Sequence, residues 1–170
     1  MKLIKLTAFS SLLLAFTFGI TSCEKAAEEK KTTDFEKKDI ALTGAQENPP
    51  VPTSALGSMN VFYSKDTRKL NYTVTWSGLT DSVLLMHIHG LAPTGYNAGV
   101  VQNIVTASNG IFPQKTAGKF TFTKSGKLSG ELLADGVFVK EQDILNGVYY
   151  INIHTNTYPG GEIRGQIRFQ

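Results

Sequence analysis

Apolar and polar residues alternate with a period of two along most of this chain, which limits it to an extended, sheet-forming fold. Leu70, Tyr72, Val74 and Trp76 are apolar, and Lys69, Asn71, Thr73 and Thr75 between them are not. Successive side chains of a strand point to opposite faces, so this stretch reads as a strand with one wet face. Residues 59–64 precede it across a Lys65-Asp66-Thr67-Arg68 turn and complete a hairpin. A second hairpin is expected where Phe120 and Phe122 alternate with Thr121 and Thr123. It turns at Lys124-Ser125-Gly126 and returns through Leu128, Gly130 and Leu132. The final strand sets Ile163, Gly165, Ile167 and Phe169 against Glu162, Arg164, Gln166 and Arg168.

Other segments complete the pattern. Val83-Leu84-Leu85-Met86 is apolar on both faces, as expected of a strand inside a sheet. Further strands are expected over 41–45 and 99–105. The single helical candidate is short, 140–145, stopped by Asn146-Gly147, and is expected to cross between sheets. Short strands separated by Gly, Pro and Asn turns predict an all-β fold. The expected form is a mostly antiparallel β-sandwich or barrel-like single domain over residues 40–170, with one short helix. About 130 residues are enough for a core without covalent staples.

The N-terminus has the layout of an export signal. Lys2 and Lys5 supply positive charge, and Leu6 to Ile20 is apolar but shorter than the ~20 residues a spanning helix needs. Ile20-Thr21-Ser22 then leads into Cys23, the only cysteine. A small residue before a lone cysteine resembles the bacterial lipoprotein signal, in which residues 1–22 are removed and Cys23 is acylated. That resemblance implies a membrane partner reached through the N-terminal lipid. It also implies a bacterial cell-envelope location, anchored in the outer membrane on its periplasmic or outer side. Loss of residues 1–22 removes two lysines and leaves 15 basic against 14 acidic residues, so no basic excess points to nucleic acid. Eleven of the sixteen residues 24–39 are Lys, Glu or Asp. The stretch 23–39 therefore reads as a charged, solvated tether that has too little apolar surface to offset its ordering entropy.

Chemistry concentrates at three histidines, His87, His89 and His154, each within an apolar strand. His87 and His89 are two residues apart, so they face one way, about 6.6 Å apart along the strand. In Tyr149-Tyr150-Ile151-Asn152-Ile153-His154, the isoleucines are expected to face the core and Asn152 and His154 the other side. If these segments meet, three imidazoles plus a carboxylate or water form a Zn²⁺ or Cu²⁺ set. Glu162 is the candidate fourth ligand or outer support, and Gln46, Glu47, Asn152 and Arg164 are candidate supporting residues. Ring nitrogens within about 4 Å of one another would favour an ion, and separations above about 8 Å would leave only packing roles. The alternative is a structural hydrogen-bond network without metal. No serine has a convincing base, and no carboxylate pair is brought together, so no catalytic residue is assigned.

Three stretches together resemble the CHRD domain. They are Leu42-Thr43-Gly44-Ala45-Gln46-Glu47-Asn48-Pro49-Pro50-Val51, His87-Ile88-His89-Gly90 with Ala92-Pro93, and Tyr150 to Thr155 running on through Pro159-Gly160-Gly161-Glu162-Ile163-Arg164-Gly165-Gln166. The resemblance implies an extracellular β-sandwich-like domain and carries no established biochemical activity. The expected function is a non-enzymatic binding module of the envelope, for a protein or ion ligand. The alternatives are a metal-dependent enzyme or copper or zinc carrier, and a structural adhesion or matrix module.

Overall fold

Eight strands pair into one continuous sheet in the computed structural model, which describes residues 33–106 and 123–170. In chain order they are β1 (Asp34–Thr43), β2 (Leu56–Ser64), β3 (Lys69–Ser77), β4 (Leu85–Gly90), β5 (Val100–Val105), β6 (Gly126–Leu133), β7 (Tyr149–His154) and β8 (Ile163–Gln166). Among the described residues one α-helix, α1 (Glu141–Leu145), lies between β6 and β7, and a single 3-10 turn (Gly44–Gln46) follows β1. The spatial order is β5-β4-β7-β8-β1-β2-β3-β6, and every pairing is antiparallel.

The sheet curls until its two edges nearly meet. Gln102 on β5 donates from Nε2 to the Glu131 carbonyl of β6 (2.8 Å) and accepts from Tyr72 Oη (3.2 Å). These side-chain bonds bridge the edges where backbone pairing is absent, so the fold is a nearly closed barrel. The helix therefore does not cross between two sheets. It lies on the connection that carries the chain from edge strand β6 to β7 within the same sheet.

The period-two reading holds in detail. Leu70, Tyr72, Val74 and Trp76 are buried inside the barrel, facing Met59, Val61 and Tyr63 of β2 and Leu128 and Leu132 of β6. β4 lies inside the sheet, between β5 and β7. Strand β1 begins at Asp34, inside the stretch that charge alone assigned to the tether. Residues 34–37 pair with 61–64, and Phe35 packs against Tyr63 and Phe169. Cross-strand pairing and one aromatic thus order a segment whose composition reads as solvated. The expected outer strand at Phe120 and Phe122 lies outside the described residues; the described partner of β6 is β3. Among the described residues no helix is long and apolar enough to cross a membrane.

Strands β4, β7 and β8 position the site. Ile88, Ile151, Ile153, Ile163 and Ile167 fill the barrel interior. By alternation, His87, His89, Tyr150, Asn152, His154, Glu162, Arg164 and Gln166 lie on the opposite face. That face is nevertheless buried. Loop 91–99 straps across it, and residues 47–55 and 155–161 roof its other end.

Candidate metal centre

The register of β4 on β7 brings the histidines together. His87 stands opposite Asn152, Leu85 opposite His154 and His89 opposite Tyr150. His154 is therefore diagonal to His87 on the same face, close enough for ring contact. Ring centroids of His87 and His154 are 4.8 Å apart, those of His87 and His89 5.4 Å, and those of His89 and His154 6.3 Å. One ring nitrogen from each lies within 4.8 Å of the other two. That separation is far nearer the ion-binding limit than the packing limit, and small rotations of the rings would bring three Zn–N distances of about 2.0–2.1 Å to a common point.

Hydrogen bonds fix which nitrogens are free. His89 Nδ1 is 2.9 Å from the Ala98 carbonyl, and His154 Nδ1 is 2.9 Å from the Pro159 carbonyl. A carbonyl only accepts, so both rings donate from Nδ1 and turn Nε2 the other way, unpartnered in His89 and facing Asn152 Oδ1 in His154. This is the outer support that metal-bound histidines use to fix tautomer and ring orientation. His89 Nε2 and His87 Nδ1 are buried with no hydrogen-bond partner. Two orphaned imidazole nitrogens are costly in a dry interior unless something satisfies them.

Burial disfavours the protonated forms of His87 and His154. It pushes the His87 pKa down to about 4, helped by the neighbouring His154 and His89. Burial also lowers that of His154, against an upward pull from the Pro159 carbonyl. Neutral imidazole is the ligand form, so no proton must be displaced from His87 near neutral pH.

The supporting residues are distributed differently from the sequence expectation. Glu162 is fully buried on the same face, but its carboxylate is turned away from the imidazoles. It accepts from Thr53 Oγ1 (2.8 Å), Thr80 N (3.0 Å), Thr80 Oγ1 (2.8 Å) and Thr155 Oγ1 (2.8 Å), and so ties three loops together. Gln46 bonds its own neighbourhood, the Ala41 carbonyl and Thr43. Glu47, in contrast, reaches the polar face. Asn152 lies between it and His154, with Oδ1 2.9 Å from His154 Nε2. Burial raises the Glu47 carboxyl to about 7, opposed by Arg164 and Asn152. The Asn152 amide thus spans the two residues, its oxygen toward His154 Nε2 and its NH₂ group toward the Glu47 carboxyl. Gly161 permits this contact. It has φ +124°, and a Cβ there would sit 2.8 Å from Asn152 Nδ2 and closer still to Glu47 Oε1.

Arg164 is a clamp. Its guanidinium lies 3.3 Å over the Tyr150 ring, which in turn stacks on His89 at 4.8 Å and 6°. Its NH2 and NH1 nitrogens donate to the Tyr96 carbonyl (2.7 Å) and Asn97 Oδ1 (3.1 Å). Tyr150 Oη accepts from Ala98 N. The strap that orients His89 is therefore held by the residues stacked behind His89. The residues that the sequence left unassigned, Tyr150, Ala98 and Pro159, act through stacking and backbone carbonyls.

Comparison with known proteins agrees with the motifs. Chordin from Danio rerio is 30% identical over 132 residues, 75% of this chain but 12% of chordin. This chain thus spans a small part of that relative's length. No solved structure matched the chain with significance. The CHRD domain family matches residues 39–167, which contain every strand from β2 to β8 and the three histidines, so this chain belongs to the CHRD domain family.

Proposed function

We propose that this protein is a metal-binding module of the bacterial envelope, held at the membrane by an acylated Cys23. It takes one Zn²⁺ or copper ion through His87, His89 and His154. The observation that supports this reading most is the pair of buried, unpartnered nitrogens on His87 and His89, next to a third ring whose Nδ1 is occupied. The three imidazoles form a nitrogen donor set. The fourth position falls to water or a ligand atom, because Glu162 is engaged by its threonines. Among the described residues no nucleophile is aligned with a base, so binding is favoured over catalysis. The anchor is supported by the Lys-rich start, the short apolar run and the lone Cys23.

Titration of the purified mature protein with Zn²⁺ and with Cu²⁺ by calorimetry tests the site. One equivalent should bind with Kd below about 100 μM, and His87→Ala and His154→Ala should each abolish it. No binding in that range, or binding that survives both substitutions, would overturn the reading.

A further inference from the structure

The barrel has an apolar end, and the chain's N-terminal approach leaves from that same end. Thr33 is the first described residue, and its carbonyl accepts from Lys65 N in the β2–β3 turn. At the other side of that turn the Arg68 carbonyl accepts from Ala134 N, where β6 gives way to the loop 135–139. Strands β4 and β5 meet this end too, through Gly90 and Val100.

Large apolar side chains collect here. Leu91 is 55% exposed, Val100 and Leu133 each 49%, Val137 70% and Phe138 86%. Val100, Leu133 and Phe138 line one groove of about 590 Å³ at the seam between β5 and β6. The exposed pair is not on a slack loop. Asp135 Oδ1 accepts from the backbone N–H groups of Val137 (2.8 Å), Phe138 (2.9 Å) and Val139 (3.0 Å), and the Val139 side chain is buried beneath. The ordering cost of presenting Phe138 to a partner is thus already met within the fold. Exposed apolar patches on a rigid scaffold mark contact surfaces.

We infer that this end of the barrel lies against the lipid bilayer to which Cys23 is attached, with Val137 and Phe138 inserted at the headgroup–acyl boundary. The inference rests on the lipid-anchor reading above. From Cys23 to Thr33 is ten residues, at most about 35 Å of extended chain. The chain enters the barrel at the apolar end, so the attachment raises the effective concentration of that end at the membrane surface. The flanks of residues 107–122, Val105 and Thr123, lie at the opposite end. Exposed charge around the patch is mixed, with Arg68 and Lys140 against Asp66 and Asp135, so apolar burial rather than attraction to anionic lipid carries the contact.

Cys23 is the only cysteine, so an acylated chain carrying Phe138→Cys has one free thiol for an environment-sensitive fluorophore. The full mature protein is reconstituted into phosphatidylethanolamine–phosphatidylglycerol vesicles at about one chain per vesicle. The label at 138 should shift to the blue and be quenched by lipids bearing a quencher about 5–10 Å below the surface. The same label at Leu56→Cys, equally apolar but at the far end, should stay wet. Equal water exposure at both positions overturns the docking face while leaving the anchor intact. A shift at 138 that needs no vesicles and grows with protein concentration overturns it in favour of a contact between copies. An intact mass showing unacylated Cys23 overturns the anchor reading and, with it, this orientation.

Discussion

Asn152 and His154 are joined side by side on one strand face: the Asn152 Oδ1 sits 2.9 Å from His154 Nε2. This contact occupies His154 Nε2, and an ion bound as proposed through that nitrogen would displace it. Asn152→Ala removes the competitor and leaves His154 Nε2 without its partner. The metal-free protein should lose about 1–3 kcal/mol of stability. Metal should bind about 2–10-fold tighter, and calorimetry beside thermal unfolding with and without Zn²⁺ reads both effects.

The centre and Glu47 respond to pH with opposite signs. His87 has a folded pKa of about 4 against an ordinary 6.5, so between those pH values the unfolded chain binds a proton that the folded one does not. Stability from this ring is full above pH 6.5 and falls as pH drops toward 4. Glu47 is raised from 4.5 to about 7, so its folded form holds the extra proton between those values. Its contribution is full below pH 4.5 and is lost as pH rises through 7. Glu47→Gln removes only the second effect. Relative to the parent, the variant should gain about 1–3 kcal/mol on going from pH 4.5 to pH 8 without metal. Urea unfolding at the two pH values checks this, and a difference that does not change with pH would contradict it.

Glu162 separates structure from ligation. Its carboxylate accepts from three threonines and a backbone N–H, all on loops that roof the sheet. Glu162→Gln keeps the shape but removes the charge and places an NH₂ against donors. Stability should fall by about 2–4 kcal/mol, since hydrogen bonds to a buried charge are among the costly ones to break. Metal affinity of the folded variant should change less than about threefold, a loss of under 1 kcal/mol. A collapse of affinity with stability intact would place Glu162 at the ion after all.

Arg164 is not replaceable by lysine. Its planar guanidinium lies over Tyr150 while two nitrogens reach Tyr96 and Asn97 on the strap. An ammonium keeps the charge but not the fork or the stacking. Arg164→Lys should cost about 2–4 kcal/mol and increase hydrogen exchange at Ala98 N, the amide bonded to Tyr150 Oη. Exchange at strand β3 should be unchanged below the global unfolding limit.

The sequence alone determined most of the strands and the direction of their side chains, though not the start of β1 at Asp34. Alternation about Leu70–Trp76 and Ile151–His154 is a local property, because each side chain's face follows from the pleat beneath it. Alternation also put His87 with His89, and Asn152 with His154, on non-core faces. It could not say that the polar face would be buried, since that depends on loops 47–55, 91–99 and 155–161 folding over it. Only the tertiary structure decided which carboxylate met the site. Glu162 and Glu47 look alike in the chain, but the β8 backbone points one at Thr53, Thr80 and Thr155, while the absence of a Cβ at Gly161 lets the other reach Asn152. The proton positions on His89 and His154 were likewise settled by the carbonyls of Ala98 and Pro159. A backbone carbonyl is present at every residue, so its aim exists only once distant segments have been fixed in space.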